Sequence, residues 1–216
     1  MHNTVKNLIY IGELIKSKLN HDRLPIIIAV SKTFPIEKIL PLIESGHLHY
    51  GENKVQEALD KWNDIKLKYN EVKLHLIGRL QTNKVKFALR IFDYIHSLDS
   101  EKLATKISEE QRKQEKKPKL FIQVNIGNEE QKSGINKDQL LNFYKFCKKL
   151  DLDIIGTMCI PPNDDNVEKY FSEMNKINQE LNFKELSMGM SNDYLEAIKD
   201  NATYVRVGSK IFGSRA

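Results

Sequence analysis

The spacing of apolar residues along this 216-residue chain switches repeatedly between the patterns typical of buried strands and of helices. Residues 25–32 begin the series with a short, almost continuous apolar run, as expected for a strand buried on both faces. The next stretch places Ile36, Ile39 and Ile43 on one helical face, and Gly46 predicts its end. A helix therefore follows the first strand, and the same order recurs along the chain.

Seven further strands are predicted in the same way, at residues 47–52, 73–79, 93–97, 118–126, 153–160, 185–190 and 203–207. Segments whose apolar residues fall on one helical face separate these strands. A further helix over residues 4–19 is predicted before the first strand. Strict alternation implies a parallel sheet, and eight strands close a (β/α)8 barrel. We therefore predict an α/β fold, a (β/α)8 TIM barrel with an extra N-terminal helix. The alternative, an open doubly wound sheet, is disfavoured because no strand is followed by a Gly-x-Gly-x-x-Gly turn or a P-loop.

Length and composition indicate one globular unit in the cytoplasm. The apolar share of 40% is sufficient for a core, and no linker rich in Pro, Gly or Ser divides the chain, so we expect a single domain over residues 1–216. Two cysteines cannot build a disulfide framework. No apolar run is long enough for a membrane span, and Lys6, Glu13 and Lys16 interrupt any N-terminal signal. We expect a cytoplasmic protein with no membrane partner.

The net charge of +5 arises from 34 basic and 29 acidic residues that are dispersed along the chain. The densest basic run, residues 113–119, is interrupted by Glu115, and basic and aromatic residues do not interleave as in RNA-binding motifs. We therefore expect no nucleic-acid partner. A mildly basic protein of this kind can instead favour an anionic small molecule.

The first predicted strand ends at Lys32, and the carboxyl ends of the strands form the functional face of such a barrel. An amine at the mouth of an apolar barrel is partly desolvated, which lowers its pKa and favours the neutral, nucleophilic form. Such a lysine can form a Schiff base with a carbonyl compound. A surface lysine that starts a loop is the alternative that position alone leaves open.

The last two strands are followed by residues suited to a phosphate group. Loops after strands seven and eight often bind phosphate in such barrels, and here they contain Ser191, Gly208 and Ser209. Gly208 permits close approach to the backbone, whereas Ser191 can either donate to a phosphate or cap the short helix over residues 193–200. Arg206 lies between two valines in strand eight, so its guanidinium needs a carboxylate or a ligand atom as acceptor.

Strands two and three carry weaker signals. Asn53 follows strand two, where it can cap the next helix or present its amide to a ligand. His75 lies in the middle of strand three, and we interpret it as a packed histidine rather than an acid or a base. The spacing of His, Cys, Asp and Glu predicts no metal site, and no Gly-x-Ser-x-Gly motif indicates a serine hydrolase.

Several of these segments together resemble the YggS/PROSC family of pyridoxal-phosphate-binding proteins. The matching segments are Ala29-Val30-Ser31-Lys32, Tyr50-Gly51-Glu52-Asn53 with Val55-Gln56-Glu57, His75-Leu76-Ile77-Gly78, Leu80-Gln81-Thr82-Asn83-Lys84, Leu186-Ser187-Met188-Gly189-Met190-Ser191-Asn192-Asp193 and Val205-Arg206-Val207-Gly208-Ser209-Lys210-Ile211-Phe212-Gly213. They occur in order over nearly the whole chain, and the tandem Met-Gly-Met-Ser and Arg-Val-Gly segments are highly specific. The resemblance implies a barrel like the N-terminal domain of alanine racemase.

The resemblance also implies a cofactor and the residues that hold it. Pyridoxal 5′-phosphate (PLP) would be bound as a Schiff base on Lys32. Its phosphate would be held by Ser191 together with the backbone of Gly208 and Ser209.

The same resemblance implies that Arg206 faces the pyridine nitrogen and that Asn53 lies beside the ring. A permanent cation at that place would leave the nitrogen unprotonated, which disfavours carbanion chemistry. Position 54 is often aromatic in the family and is Lys54 here. Because the sequence ends at Ala216, soon after strand eight, we expect no counterpart of the second domain and the partner subunit of a related racemase.

We therefore expect a monomeric carrier or regulator in PLP homeostasis, with no robust catalysis of its own. Its partners would be PLP, related B6 vitamers and PLP-dependent apoenzymes. A racemase-like enzyme of amino-acid metabolism is the alternative that uses the same cofactor. A Schiff-base aldolase or phosphosugar enzyme that shares the barrel is a further alternative, and a nucleic-acid-binding protein is another.

Overall fold

Eight parallel strands close into a barrel in the computed structural model, which describes residues 1–19, 23–129, 131–164 and 166–214. The strands are β1 Ile26–Val30, β2 His49–Glu52, β3 Lys73–Leu76, β4 Tyr94–Leu98, β5 Lys119–Val124, β6 Ile154–Cys159, β7 Glu185–Met190 and β8 Tyr204–Val207. Each pairs with its neighbours in sequence order, and β1 pairs with β8. The predicted (β/α)8 barrel is confirmed, and the open doubly wound sheet is wrong.

Helices alternate with the strands and surround the barrel. In the described residues they are α1 Asn3–Lys18, α2 Ile36–Glu44, α3 Val55–Lys68, α4 Val85–Ile91, α5 Glu101–Gln114, α6 Leu140–Lys149, α7 Val167–Glu180, α8 Tyr194–Lys199 and α9 Ser209–Phe212. Because α1 precedes the first strand, the prediction of an extra N-terminal helix is confirmed. No helix in these ranges has the length and hydropathy needed to cross a membrane.

The predicted elements differ from the observed ones mainly at their ends. β2 starts at His49 and not at residue 47, because the N–H of His47 still donates to the carbonyl O of Leu42 in α2 at 3.0 Å. Gly46 allows this helix end with φ 92°, a conformation that side chains disfavour. The apolar pattern therefore reveals the strand, and the hydrogen bonds at the helix end decide where it begins.

The N-terminal helix α1 packs against α2, α8 and α9 on the outside of the barrel. Ile11 and Ile15 are its most buried apolar residues, each 2% exposed. The side-chain amide of Asn7 donates to the carbonyl O of Ile211 at 2.9 Å, which links α1 to α9. The helix therefore supports α9, which follows the strand that carries Arg206.

Apolar side chains form two separate cores, as expected when parallel strands are buried on both faces. The larger core lies between the barrel and its helices, and Trp62 is its largest fully buried side chain. The smaller core fills the barrel interior and consists of Ile28, Tyr94, Phe121, Met158 and Tyr204. The interior is thus a packed core, which leaves the strand ends as the place for a ligand.

The closure between β1 and β8 determines which residues meet at the carboxyl end of the barrel. Ile28 is in register with Arg206, and Ala29 is in register with Val207. Lys32 follows β1, and Gly208 follows β8. The two ends of the sequence thereby contribute to the same edge of the barrel.

Candidate functional site

All six residues predicted to bind the cofactor line one cavity at the carboxyl ends of the strands. Its volume is about 350 Å³, which suits a small molecule. The predicted residues in its lining are Lys32, Asn53, Ser191, Arg206, Gly208 and Ser209. They follow β1, β2, β7 and β8 or lie within β8, so the barrel brings together residues from both ends of the sequence.

Lys32 is half-buried at the end of β1, and hydrogen bonds on both sides fix its backbone. The hydroxyl of Ser31 donates to Oε1 of Glu52 at 2.8 Å, and the N–H of Thr33 donates to Oε1 of Glu57 at 2.6 Å. Thr33 has φ 67°, in the left-handed region, which is strained by about 1–2 kcal/mol for a β-branched residue. The loop that carries Lys32 is therefore held in a conformation that it would not adopt unaided.

Lys61 in α3 joins both carboxylates to this loop. Its Nζ donates to the carbonyl O of Ser31 at 3.0 Å, to Oε1 of Glu52 at 3.0 Å and to Oε1 of Glu57 at 3.1 Å. All three ammonium hydrogens are thus used. We call Glu52, Glu57 and Lys61 the Lys61 cluster.

The carboxylates of the Lys61 cluster differ in burial and therefore in acidity. Burial raises the pKa of Glu52 above its ordinary value, although the ammonium of Lys61 opposes this shift. Partial burial would also raise the pKa of Glu57, but the N–H of Thr33 and the ammonium of Lys61 outweigh it and lower that pKa. Glu57 therefore remains an ionised acceptor for the Thr33 N–H at neutral pH.

Arg206 is buried in the barrel, and its partners differ from the prediction. A carboxylate or a ligand atom was expected as the acceptor, and the protein acceptors among the described residues are a hydroxyl and a backbone carbonyl instead of a carboxylate. Nη1 donates to the hydroxyl of Ser187 at 2.7 Å, and Nη2 donates to the carbonyl O of Cys159 at 2.8 Å. Burial lowers the pKa of Arg206, but a guanidinium stays protonated in proteins. The site therefore contains a permanent cation held by two neutral acceptors.

Ser191 and Gly208 link the loops that follow the last two strands. The N–H of Gly208 donates to Oγ of Ser191 at 3.1 Å, which leaves the hydroxyl hydrogen of Ser191 available to a ligand. Ser191 does not cap the next helix, because Asp193 occupies the position before α8. A Cβ on Gly208 would lie 3.3 Å from Cβ of Val30, so a larger residue there would press on β1.

Asn53 lies at the cavity and does not cap α3, because the capping position is Lys54, whose side chain makes no capping bond. A Cβ on Gly78 would lie only 2.3 Å from the carbonyl O of Asn53, so this position needs glycine. The backbones after β2 and β3 therefore touch, which fixes Asn53 in place. Lys54 is exposed and is not part of the cavity lining.

Apolar side chains complete the cavity and are suited to a flat ring. Val30, Phe34 and Ile77 line it, and Ile160 and Met190 lie at its opening with 38% and 39% of their surface exposed. Exposed large apolar residues beside a polar cavity are typical of ligand sites. An amine, a hydroxyl with nearby backbone N–H groups, a guanidinium and an apolar wall together fit PLP, which combines an aldehyde, a phosphate and an aromatic ring.

A second cavity of about 450 Å³ opens at the opposite end of the barrel. Basic residues dominate its lining, namely Lys66, Lys73, Arg90, Lys116, Lys117 and Lys119. None of the residues predicted from sequence lies there. Ligands of (β/α)8 barrels bind at the carboxyl ends of the strands, so the smaller cavity is the candidate site.

Several contacts that build the site were missed by the sequence analysis. Glu57 and Lys61 act on the Lys32 loop from α3, and Ser187 holds Arg206. His75 is packed in the barrel, as predicted, but it also bonds to a second interior histidine, His96, that was overlooked. His75, His96, Ser187 and Arg206 are all third residues of their observed strands. The predicted strand starts at residues 93 and 203 concealed this shared position for His96 and Arg206.

Comparisons with known proteins agree with the fold and identify the family. Residues 13–216 match the family of the alanine racemase N-terminal domain. The chain is 38% identical over 199 residues to the pyridoxal phosphate homeostasis protein of Aquifex aeolicus, covering 88% of this chain and 86% of that protein. It is 34% identical over 200 residues to the protein of the same name from Escherichia coli, covering 88% and 85%.

Solved structures show the same relationship. PipY of Synechococcus elongatus with PLP bound has a TM-score of 0.86 and 31% identity, with 97% of this chain and all of that chain covered. The alanine racemase of Clostridium difficile has a TM-score of 0.72 and 15% identity, covering 99% of this chain and 57% of that chain, and shows the fold alone. The chain therefore belongs to the family of pyridoxal phosphate homeostasis proteins, which is the family that its sequence motifs predicted.

Proposed function

We propose that this protein binds PLP in the cavity of about 350 Å³ and acts in PLP homeostasis as a carrier or regulator. The observation that carries the proposal is the convergence of six residues from both ends of the sequence on this single cavity. Lys32 would attach the cofactor as a Schiff base, in which Nζ bonds to the aldehyde carbon and water is released. The PLP-bound structure of the related PipY supports this assignment.

The remaining residues would orient the cofactor from its two ends. Ser191 and the backbone of Gly208 and Ser209 would hold the phosphate, since they offer N–H and O–H donors on neighbouring loops. Arg206 would face the pyridine nitrogen, and Asn53 would lie beside the ring. Each of these roles uses a group that lines the cavity in the folded protein.

Limited catalysis follows from the groups that this cavity offers. PLP supplies an electron sink for amino-acid chemistry when its pyridine nitrogen is protonated. Arg206 can only donate hydrogen bonds and would keep a proton off that nitrogen. Among the described lining residues, only the Lys32 amine and the Asp193 carboxylate could exchange a proton. Asp193 already accepts from the N–H of Met190 at 2.5 Å, which restricts its use as a base.

The binding proposal is tested by adding PLP, reducing the complex with borohydride and mapping the modified peptide by mass spectrometry. We expect a visible absorption band and a pyridoxyl group on Lys32. Lys32→Ala should lose both, whereas Lys38→Ala, which removes an exposed lysine of α2, should keep both. Modification of another lysine, or no band in the unaltered protein, would refute the proposal.

A racemase-like enzyme of amino-acid metabolism is the second candidate, because an amine and a carboxylate both line the cavity. The two functions differ in α-carbon exchange. Single-isomer amino acids incubated with the PLP-loaded protein in deuterated water should retain their α-hydrogen if the protein is a carrier. Exchange at enzyme-like rates, abolished by Lys32→Ala, would establish the enzyme instead.

Other features of the proposed function need separate measurements. A single domain, a monomer, a cytoplasmic location and delivery of PLP to apoenzymes stay predictions. Light scattering on the purified protein measures its mass against the 25.1 kDa of one chain. Transfer of PLP to a PLP-dependent apoenzyme, in the presence of a scavenger of free PLP, tests the carrier role directly.

A further inference from the structure

A chain of hydrogen bonds crosses the barrel interior and ends at Arg206. Nδ1 of His49 lies 2.9 Å from Nε2 of His75, and Nδ1 of His75 lies 2.9 Å from Nε2 of His96. Nδ1 of His96 lies 2.9 Å from Oγ of Ser187, which accepts from Nη1 of Arg206 at 2.7 Å. We call these five residues the histidine chain. It runs from the start of β2 to the lining of the candidate cavity.

The two central rings of the histidine chain are neutral. His75 and His96 are fully buried, and they stack on Tyr94 and Phe121 with ring centroids 4.2 Å apart in both pairs. Burial lowers the pKa of both histidines well below the ordinary value. A neutral imidazole has one N–H and one lone pair. Each central ring must therefore donate on one side and accept on the other.

The direction of the histidine chain is fixed at Arg206. A guanidinium only donates, so Oγ of Ser187 accepts from it. The hydroxyl hydrogen of Ser187 then has one acceptor among the described residues, Nδ1 of His96. The opposite direction would leave this buried hydrogen without an acceptor, which is unfavourable. His96 and His75 therefore carry their hydrogens on Nε2 and pass them toward His49.

Two other roles of the histidine chain are excluded by its chemistry. Proton transfer into the cavity would require the last group to accept a proton, and a guanidinium cannot do so. Metal binding would require free lone pairs, but the lone pairs of His75 and His96 are engaged in the chain. In the described part of the protein, no group of three or more His, Cys, Asp or Glu residues is placed so that it could hold a metal ion. The remaining role is to hold Arg206.

We propose that Ser187 and His96 are positioning residues that set the orientation of the Arg206 guanidinium toward the cavity. Ser187 holds Nη1, while the carbonyl O of Cys159 holds Nη2 at 2.8 Å. Two anchors on different nitrogens fix the plane of the group and leave its other N–H bonds for the ligand. The inference rests on the proposed function, because the group that Arg206 would meet is the pyridine nitrogen of PLP.

The direction of the chain is tested on the protein without PLP. Long-range proton–nitrogen NMR on protein labelled at the histidine ring nitrogens identifies which nitrogen carries the hydrogen. We expect His75 and His96 to be neutral at pH 7.5 with hydrogen on Nε2. A charged ring, or hydrogen on Nδ1 of His96, would overturn the proposed arrangement. This measurement needs no variant and no cofactor.

The positioning role is tested with three variants and PLP as the probe. Ser187→Ala removes the acceptor of Arg206, so PLP binding should weaken by about tenfold or more. The pH titration of its visible band should also shift, because the pyridine nitrogen loses its ordered cation. Ser187→Thr keeps a hydroxyl and should restore both properties. Thr157→Val removes a buried hydroxyl that bonds to Asn178 instead, and should change neither.

The outcomes separate this inference from the proposed function. Failure of the unaltered protein to bind PLP refutes the proposed function, and the NMR result still decides the direction of the histidine chain. Normal PLP binding with an unchanged titration in a folded Ser187→Ala protein refutes the positioning role alone. If Ser187→Ala does not fold, a normal PLP titration in Ser187→Cys, whose thiol is a weak acceptor, refutes the role.

Discussion

The carboxylate of Glu57 accepts a hydrogen bond of 2.6 Å from the backbone N–H of Thr33, the residue that follows Lys32. This bond connects α3 to the end of β1 and so controls the loop from which the Lys32 amine projects. The same carboxylate accepts a second hydrogen bond, of 3.1 Å, from Nζ of Lys61. The orientation of Lys32 therefore depends on a helix that contributes no residue to the cavity lining.

Glu57→Ala should weaken the attachment of PLP to Lys32 by about threefold to tenfold, because one hydrogen bond to a charged group is lost. Equilibrium titration of PLP measures the change. Asp60→Ala removes an exposed carboxylate of the same helix and should leave binding unaltered. Equal affinities in the two variants would show that the Thr33 bond does not govern Lys32.

Thr33→Gly should stabilise the fold by about 1 kcal/mol, because glycine adopts the observed φ of 67° without strain. Urea unfolding measures the free energy. The same substitution at Thr105, in the helix α5, should instead destabilise the protein by about 0.5 kcal/mol, because glycine is a poorer helix former than threonine. Destabilisation at both positions would argue against strain at Thr33.

Lys61→Met should destabilise the protein by about 3 kcal/mol, because it leaves the fully buried Glu52 without its cation. Lys117→Met removes one partner of an exposed pair with Asp151 and should change stability by less than about 1 kcal/mol. Chemical denaturation of both variants at neutral pH provides the comparison. Similar small effects would mean that Glu52 does not need Lys61.

Acid should destabilise the protein through its interior histidines. Burial lowers the folded-state pKa of His75 and His96 well below 6.5, and that of His47 to about 4. The unfolded chain therefore binds more protons than the folded protein below about pH 6.5, so stability is full above this pH and falls as the pH decreases. Each fully buried ring contributes about 1.4 kcal/mol per pH unit to that loss.

Urea unfolding between pH 8 and pH 5 measures this dependence. His96→Asn should reduce the slope below pH 6.5 by about one proton. Thr157→Val, which removes a buried group that does not titrate, should lower stability at every pH and leave the slope unchanged. An unaltered slope in His96→Asn would mean that this ring is protonated in the folded protein.

The candidate site could be located from sequence because parallel strands align their carboxyl ends at one edge. Lys32 ends a predicted strand, Asn53 and Ser191 each follow one, and the barrel places all three at one cavity. The sequence also allowed Asn53 and Ser191 to cap helices, because a short polar side chain after a strand suits both capping and ligand binding. In the structure α3 starts at Val55 and α8 starts at Tyr194, so neither Asn53 nor Ser191 occupies a capping position.

The sequence by itself determined the order of strands and helices and the loops that line the candidate cavity, because apolar periodicity and turn residues act over short distances along the chain. Only the tertiary structure decided which groups hold Arg206 and the loop of Lys32. Ser187 and His96 are 91 positions apart, and Thr33 and Glu57 are 24 apart. Such contacts depend on the register and closure of the whole barrel, which no local pattern of residues contains.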